Sequence, residues 1–317
     1  AQAVVSRLDL PVPGSMVQVS SPFTPAIVRG IRVYTEQPLK FDFIVDSGDT
    51  GLKGAEFKKE SEKLIRYFLA SLTLPENDLW VNLSPYERDR IVPDALGSTE
   101  MGRDMLAQDY LLKQIAASLT NPESEQGKEF WSRVYAKAYE QYGTTDIPVD
   151  TFNKVWIMPA KVEVYVQNDK AFIVESKLKV MLEEDYLALQ KNADPALGKR
   201  AEGNSQERAF TAQVVRDVFI PVLEKDVNEG KNFAQLRQIY QSIILAYWYK
   251  TTLKQSIINK VYSDQQKVKG IDLSNKETTE TIYAQYVDTF RKGVYNIIKE
   301  EYDQYTQRLV GPTLALD

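Results

Sequence analysis

Two residue types are missing from this chain, and their absence removes whole classes of chemistry. Its 317 residues include no cysteine and no histidine. Without cysteine there is no disulfide, no thiolate nucleophile and no thiolate metal site. Without histidine the commonest general base near neutral pH is gone. The Ser-His-Asp and Cys-His designs go with it, as do His-rich zinc sites and the facial-triad iron site. An enzyme made from this sequence would have to work with carboxylates, Lys, Tyr, Ser or Thr, or with oxygen-ligated magnesium or calcium. Long apolar runs are also absent. The longest clean one, Ile243 to Tyr249, falls far short of the roughly 20 residues of a spanning helix, so membrane insertion is not expected. Positive charge is in deficit. A formal net charge of −5 argues against a nucleic-acid partner, which needs a basic patch, and against docking on anionic lipid.

What is present suits a folded chain with a full core. Hydrophobic residues make up 43% and charged residues 26%, which excludes a disordered composition, and the length allows one large domain or two ordinary ones. The sequence opens Ala-Gln-Ala, as a chain does behind a signal-peptidase cut. A chain of this length needs no disulfides for a stable core. Together these features suggest a secreted or cell-surface bacterial protein.

Hydrophobic periodicity divides the chain. Residues 1–25 carry prolines, among them Pro11 and Pro13, with no helical period, and read as an extended arm. Ala26 to Tyr34 and Leu39 to Asp46 read as strands. Helical stripes follow: Leu64, Ile65, Phe68, Leu69 and Leu72; then Met101, Met105, Leu112, Ile115 and Leu119. Ser84-Pro85-Tyr86-Glu87 is a capping box. Asn121-Pro122 starts a helix through Trp131, Val134 and Tyr135 that Gly143 closes. Period two returns in Val155-Trp156-Ile157 and Val162 to Val166. Asn168-Asp169 makes a turn, and Ala171 to Val174 reads as the return strand, extendable to Val180. Residues 191–206 are polar and read as a linker or mobile loop. Beyond them lies a helical subdomain over 207–305, interrupted at Pro221, stopped at Gly230, and carrying a stripe from Phe233 to Tyr247. Ser274 and Glu277 form a second capping box, and residues 306–317 are a tail. The expected fold is α+β and helix-rich: a small antiparallel sheet in an α+β domain over 26–190, packed against helices, with a C-terminal helical subdomain.

Six segments carry a resemblance: Phe41 to Asp49, Leu64 to Leu72, Trp80 to Arg90, Thr99 to Gln108, Thr151 to Pro159 and Phe233 to Tyr240. Together they resemble an uncharacterised family from uncultured candidate-phylum bacteria, whose segments recur as standalone chains and within very large proteins. The resemblance covers most of residues 22–305. It supplies no catalytic residues, and implies a bacterial source and a recurrent module suited to a structural or interaction role.

Several constellations invite a chemical reading. Phe43-Ile44-Val45-Asp46-Ser47-Gly48 is similar to the aspartic-protease turn, in which two carboxylates share a proton. The partner motif belongs on a distant strand, however, and here Asp49-Thr50-Gly51 follows at once. A strand ending in a Gly-rich turn explains the string as well. Asp46, Asp49 and Thr50 offer oxygen ligands for calcium, though without the EF-hand spacing; the competing use is turn chemistry by Asp and Ser side chains. Glu183-Glu184-Asp185 and Glu300-Glu301 could supply paired carboxylates, but nothing in the sequence brings them together. No phosphate-binding glycine loop is present. Tyr247 continues an apolar stripe that Trp248 and Tyr249 leave, so those two face a second packing layer or a partner.

These observations favour a binding or assembly protein over an enzyme. The leading expectation is an exported bacterial structural or interaction protein that self-associates into a homo-oligomer or a larger extracellular assembly. The arm residues Val4, Val5, Leu8, Leu10, Met16 and Val17, with Trp248 and Tyr249, are the candidate interface. No cofactor is expected beyond calcium. A carboxylate-dependent hydrolase acting on polysaccharide and a carbohydrate-binding module remain the alternatives.

Overall fold

Two hairpins build the sheet. A computed structural model of the protein describes residues 11, 15–34, 37–72, 74, 99–121, 123–143, 145, 155–182, 185, 215–263, 301–303 and 308–310. Strand β1 (Ile27–Tyr34) pairs with β2 (Gln37–Asp46), and β3 (Val155–Gln167) pairs with β4 (Lys170–Leu182) around Asn168-Asp169. Asn168 takes the left-handed conformation at φ 54°, which Asn tolerates better than most residues. A short antiparallel contact of Gly30–Arg32 with Phe172–Lys170 joins the hairpins in the order β2-β1-β4-β3. The turn is latched to its neighbour: Val33 N–H donates to Asp169 O at 2.8 Å, and Arg32 Nε meets the Asp169 carboxylate at 2.6 Å.

The helices follow the apolar stripes. Helix α1 (Gly54–Ser71) buries Leu64, Phe68, Leu69 and, just past its end, Leu72, together with Tyr67. Helix α2 (Glu100–Thr120) buries the whole Met101-to-Leu119 stripe. Thr99 caps it, its hydroxyl accepting from Gly102 N–H at 3.1 Å. Helix α3 (Glu125–Tyr142) begins slightly later than Asn121-Pro122 suggests. Ser124 is its N-cap, accepting from Gly127 N–H at 2.8 Å, while Asn121 Oδ1 accepts from Glu123 N–H in the preceding turn. A Cβ on Gly127 would lie 1.7 Å from Asn121 O, so this tight entry needs glycine. Gly143 ends α3 in the left-handed conformation, as its position promised.

Pro221 interrupts the helical pattern by changing its type. Val215–Phe219 is a π-helical turn, and helix α4 (Ile220–Glu229) then starts afresh, with Pro221 in its first turn, where a missing N–H leaves no bond unmade. After Gly230, helix α5 (Ala234–Ser263) packs against α1, α2, β1 and β4. Glu301–Asp303 (β5) and Arg308–Val310 (β6) pair as a short ladder where the sequence suggested helix and tail.

The molecule is an α+β protein with an antiparallel sheet against helices. One buried cluster runs from Ala26 in front of the sheet to Tyr249 in α5. The described helices after residue 207 therefore share a core with the sheet. Phe41, Phe43, Phe68 and Tyr249 meet edge-on or tilted, with centroids 5.1–6.2 Å apart, each such pair contributing about 0.5–1.5 kcal/mol beyond area burial. Among the described residues no helix is long and apolar enough to cross a membrane. Both capping boxes, the 191–206 segment and the arm residues Val4, Val5, Leu8 and Leu10 lie outside the described residues.

Candidate functional site

Alternation puts Phe41 and Phe43 of β2 against the helices, so Ile44 faces away from them. Register then aligns a row on the outer face: Ile44 opposite Gly30, Gly30 opposite Phe172, and Phe172 opposite Tyr165. Gly30 supplies no side chain, and the Phe172 ring closes over it: a Cβ there would meet Phe172 Cδ1 at 2.8 Å. Ile44 is 43% exposed, Tyr165 55%, and neighbouring Val174 58%. An apolar and aromatic band thus crosses all four strands in contact with water. Isolated exposed apolar residues need no explanation, but a contiguous row on one sheet face does.

Paired charges flank the band. On one side Arg32 lies between Asp42 and Lys170 in register and holds Asp169. Hydrogen bonding to Asp169 raises the Arg32 pKa, and the same bond to Arg32 lowers that of Asp169. Tyr34 donates its hydroxyl to Asp42, which raises its pKa, and its ring lies 4.9 Å from the Arg32 guanidinium and 4.8 Å from Lys40 Nζ. On the other side Lys161 meets Glu175 at 2.5 Å, and Lys177 meets it at 3.5 Å. The bond to Lys161 lowers the Glu175 pKa. Each flank therefore carries both signs.

The residues singled out from the sequence end up in different places. Asp46 closes β2. Its Oδ1 accepts from Gly48 N–H at 3.0 Å, its Oδ2 meets Arg29 Nε at 3.2 Å, and these two bonds, in that order, lower its pKa. Both carboxylate oxygens of Asp46 are thus taken up by the turn and by Arg29, which is the strand-and-turn reading of this string. Asp49 Oδ2 accepts from Thr24 N–H at 2.7 Å, and Thr50 Oγ1 donates to Ser47 O at 2.7 Å. All three candidate calcium ligands are engaged in loop structure. Among the described residues, no group of three or more acidic side chains is placed to hold a metal ion. Asp185 is gripped by Arg216 through two bonds of 2.8 and 2.7 Å; Glu183, Glu184 and Glu300 lie outside the described residues, as does the Glu301 side chain.

Of the interface candidates, Met16 is exposed and Val17 packs against the core, its N–H donating to Ser118 Oγ at 2.8 Å. The described arm is bound to its own chain. Ser20 N–H and hydroxyl both donate to buried Asp226, at 3.0 and 2.7 Å, Phe23 N–H donates to Glu229 O, and Arg237 Nη2 donates to Phe23 O. The aromatic pair is corrected in part. Tyr249 is 0% exposed and belongs to the second packing layer, against Phe41 and Phe68, so it has no surface to offer a partner; Trp248 is partly buried against the core. Tyr247, assigned to the stripe, is the one that is 39% exposed.

The outer row went unnoticed in the sequence, although a signal was there. Phe43-Ile44-Val45 is apolar without alternation, and such a strand carries apolar residues on both faces. No family model, curated protein or solved structure matches the chain.

Proposed function

We propose that this is an interaction protein that self-associates, and that the outer face of the sheet is the contact. One observation carries the reading: exposed Ile44 and Tyr165 and half-buried Phe172 align in one row across the sheet, with Gly30 between Ile44 and Phe172, between flanks that each hold both signs of charge. A two-fold contact uses one patch on both subunits, so the patch must complement itself. An apolar band with mixed-sign flanks meets that requirement, because a copy turned by half a rotation sets band on band and finds a counter-ion for each charge. Two sheets so apposed would pack about 10 Å apart.

The test is native mass by light scattering across the micromolar range. The wild type is expected to be a dimer or larger. Tyr165→Asp, which puts a charge in the band without touching the core, is expected to yield monomer with an unchanged circular-dichroism spectrum. A wild-type monomer, or a variant of unchanged mass, would overturn the reading.

A further inference from the structure

A second feature of the sheet points to a small-molecule site, which shares Val174 and Glu175 with the edge of the outer face. Strands β1 and β4 pair only over Gly30–Arg32 and Phe172–Lys170. Beyond that contact they diverge, although β1 begins at Ile27 and β4 runs on to Leu182. The edge of β4 freed by the splay is served by side chains instead of a strand. Asn228 accepts from Leu178 N–H at 2.9 Å and donates to Leu178 O at 2.7 Å, and Glu224 accepts from Val180 N–H. Between the diverging strands lies a cleft of about 410 Å³, with α5 as its floor and the Pro22–Pro25 stretch of the arm as its rim. That volume falls within the range of small-ligand sites.

The floor holds two polar groups that the fold leaves unanswered. Tyr240 and Gln241 are each 5% exposed. The Tyr240 hydroxyl and Gln241 Oε1 are both buried with no hydrogen-bond partner. The Gln241 amide bonds at one end only, donating to Ser176 Oγ at 2.6 Å. A buried polar group without a partner costs about 1–3 kcal/mol, and native structures hold few of them. Both residues line the same cleft, and unanswered polar groups there call for an occupant that hydrogen-bonds.

The chemistry of the lining narrows the occupant. The groups offered on the floor are a phenol, an amide and a serine hydroxyl, all neutral. Burial pushes the Tyr240 pKa up, so the phenol keeps its proton. The cations nearby are already engaged: Arg237 donates to the carbonyls of Phe23, Val227 and Gly230, and Arg29 pairs with Asp46. Glu175 is held by Lys161. Asp49 accepts from Thr24 N–H, and Glu229 is exposed at the mouth of the cleft, away from the neutral groups of its floor. The rim adds apolar surface in exposed Pro22 and half-buried Phe23, whose ring has Lys231 Nζ at 5.8 Å and leaves its other face for the C–H face of a sugar ring. We propose that this cleft binds a neutral, polyhydroxylated small molecule, a pyranose sugar, with Tyr240, Gln241 and Ser176 taking its hydroxyls and Phe23 its apolar face.

The test uses the full chain and a fixed panel: glucose, galactose, mannose, N-acetylglucosamine, maltose and cellobiose, with glucuronate and inorganic phosphate as charged probes. Saturation-transfer NMR reports contact, and calorimetry gives Kd. At least one neutral sugar is expected to bind, and the charged probes are not. Maltohexaose and cellohexaose distinguish a free sugar from a chain: equal or weaker affinity than the disaccharide marks a site for a free ligand, and stronger affinity marks a site for a polymer, both being pyranose sites. Tyr240→Phe removes one oxygen from the floor and keeps the ring, so it should fold. It is expected to raise Kd about tenfold, the effect of one lost buried hydrogen bond, and Gln241→Leu at least as much. Binding by none of the neutral sugars, a preference for glucuronate or phosphate, or unchanged affinity in Tyr240→Phe would each overturn the proposal and leave the cleft to water alone.

Discussion

Asp104 shows what a single buried acid does to this core. It sits on α2 with its carboxylate accepting from the Tyr67 hydroxyl, which in turn accepts from Gln235 Nε2 at 3.1 Å. Burial raises its pKa from 3.8 to about 6, and the charge of nearby Glu100 adds to the shift. Burial likewise pushes the Tyr67 phenol well up, so its hydroxyl stays protonated. A carboxyl with a raised folded pKa holds its proton more tightly in the native state than in the unfolded chain. Its contribution to stability is therefore fully present below about pH 4 and is lost as pH rises through about 6. The loss at pH 7 is on the order of 2–3 kcal/mol. Asn at this position still accepts the Tyr67 hydroxyl and carries no charge. Urea denaturation is expected to show Asp104→Asn more stable than wild type by about 1–2 kcal/mol at pH 7.5, with the advantage vanishing near pH 4.5. A pH-independent difference would refute the assignment of the shift to this carboxyl.

Among the elements, the arm depends most on a single anchor. Asp226 of α4 is 3% exposed and accepts from Ser20 twice and from Asn232 Nδ2 at 3.0 Å. Gly230 admits this arrangement, since a Cβ there would lie 1.8 Å from Asp226 Oδ1. Asp226→Ala removes a charged acceptor from three donors and is expected to cost about 2–4 kcal/mol. Limited proteolysis should then cut near residues 15–25 well before the helices; equal resistance would show that the arm is held by other contacts. The sequence revealed each element more readily than its surroundings. The Met101-to-Leu119 stripe and the Asn168-Asp169 turn were legible because both depend on neighbours a few residues away. Tyr247 and Tyr249 were not. The stripe rule assumes a helix buried on one side, whereas α5 packs against α1, α2, β1 and β4, so a residue off the stripe meets the aromatic cluster of β2 and α1 instead of water. The cleft was illegible for a related reason. It exists because β1 and β4 stop pairing, and that is settled between residues far apart in the chain.

At the scale of the whole molecule, arm and sheet face make separable claims on association. Residues 15–26 are tied to α2, α4 and α5 of the same chain, while the outer row lies on the sheet. Deleting residues 1–20 removes the Val17 and Ser20 contacts and should lower the melting midpoint, yet leave the native mass as it was. A fall in mass would return the arm to the interface. The closure made by the arm also sets an order of events during synthesis. Ser20 and its anchor are 206 residues apart in sequence, and translation at about 5–20 residues per second separates them by roughly 10–40 s. Throughout that interval the arm has emerged while its docking site has not, and the first hairpin must wait alongside it for α5 to cover its inner face. Ser20 and the side of Phe41 that Tyr249 later covers are thus open together on the nascent chain, where a holding chaperone would find them.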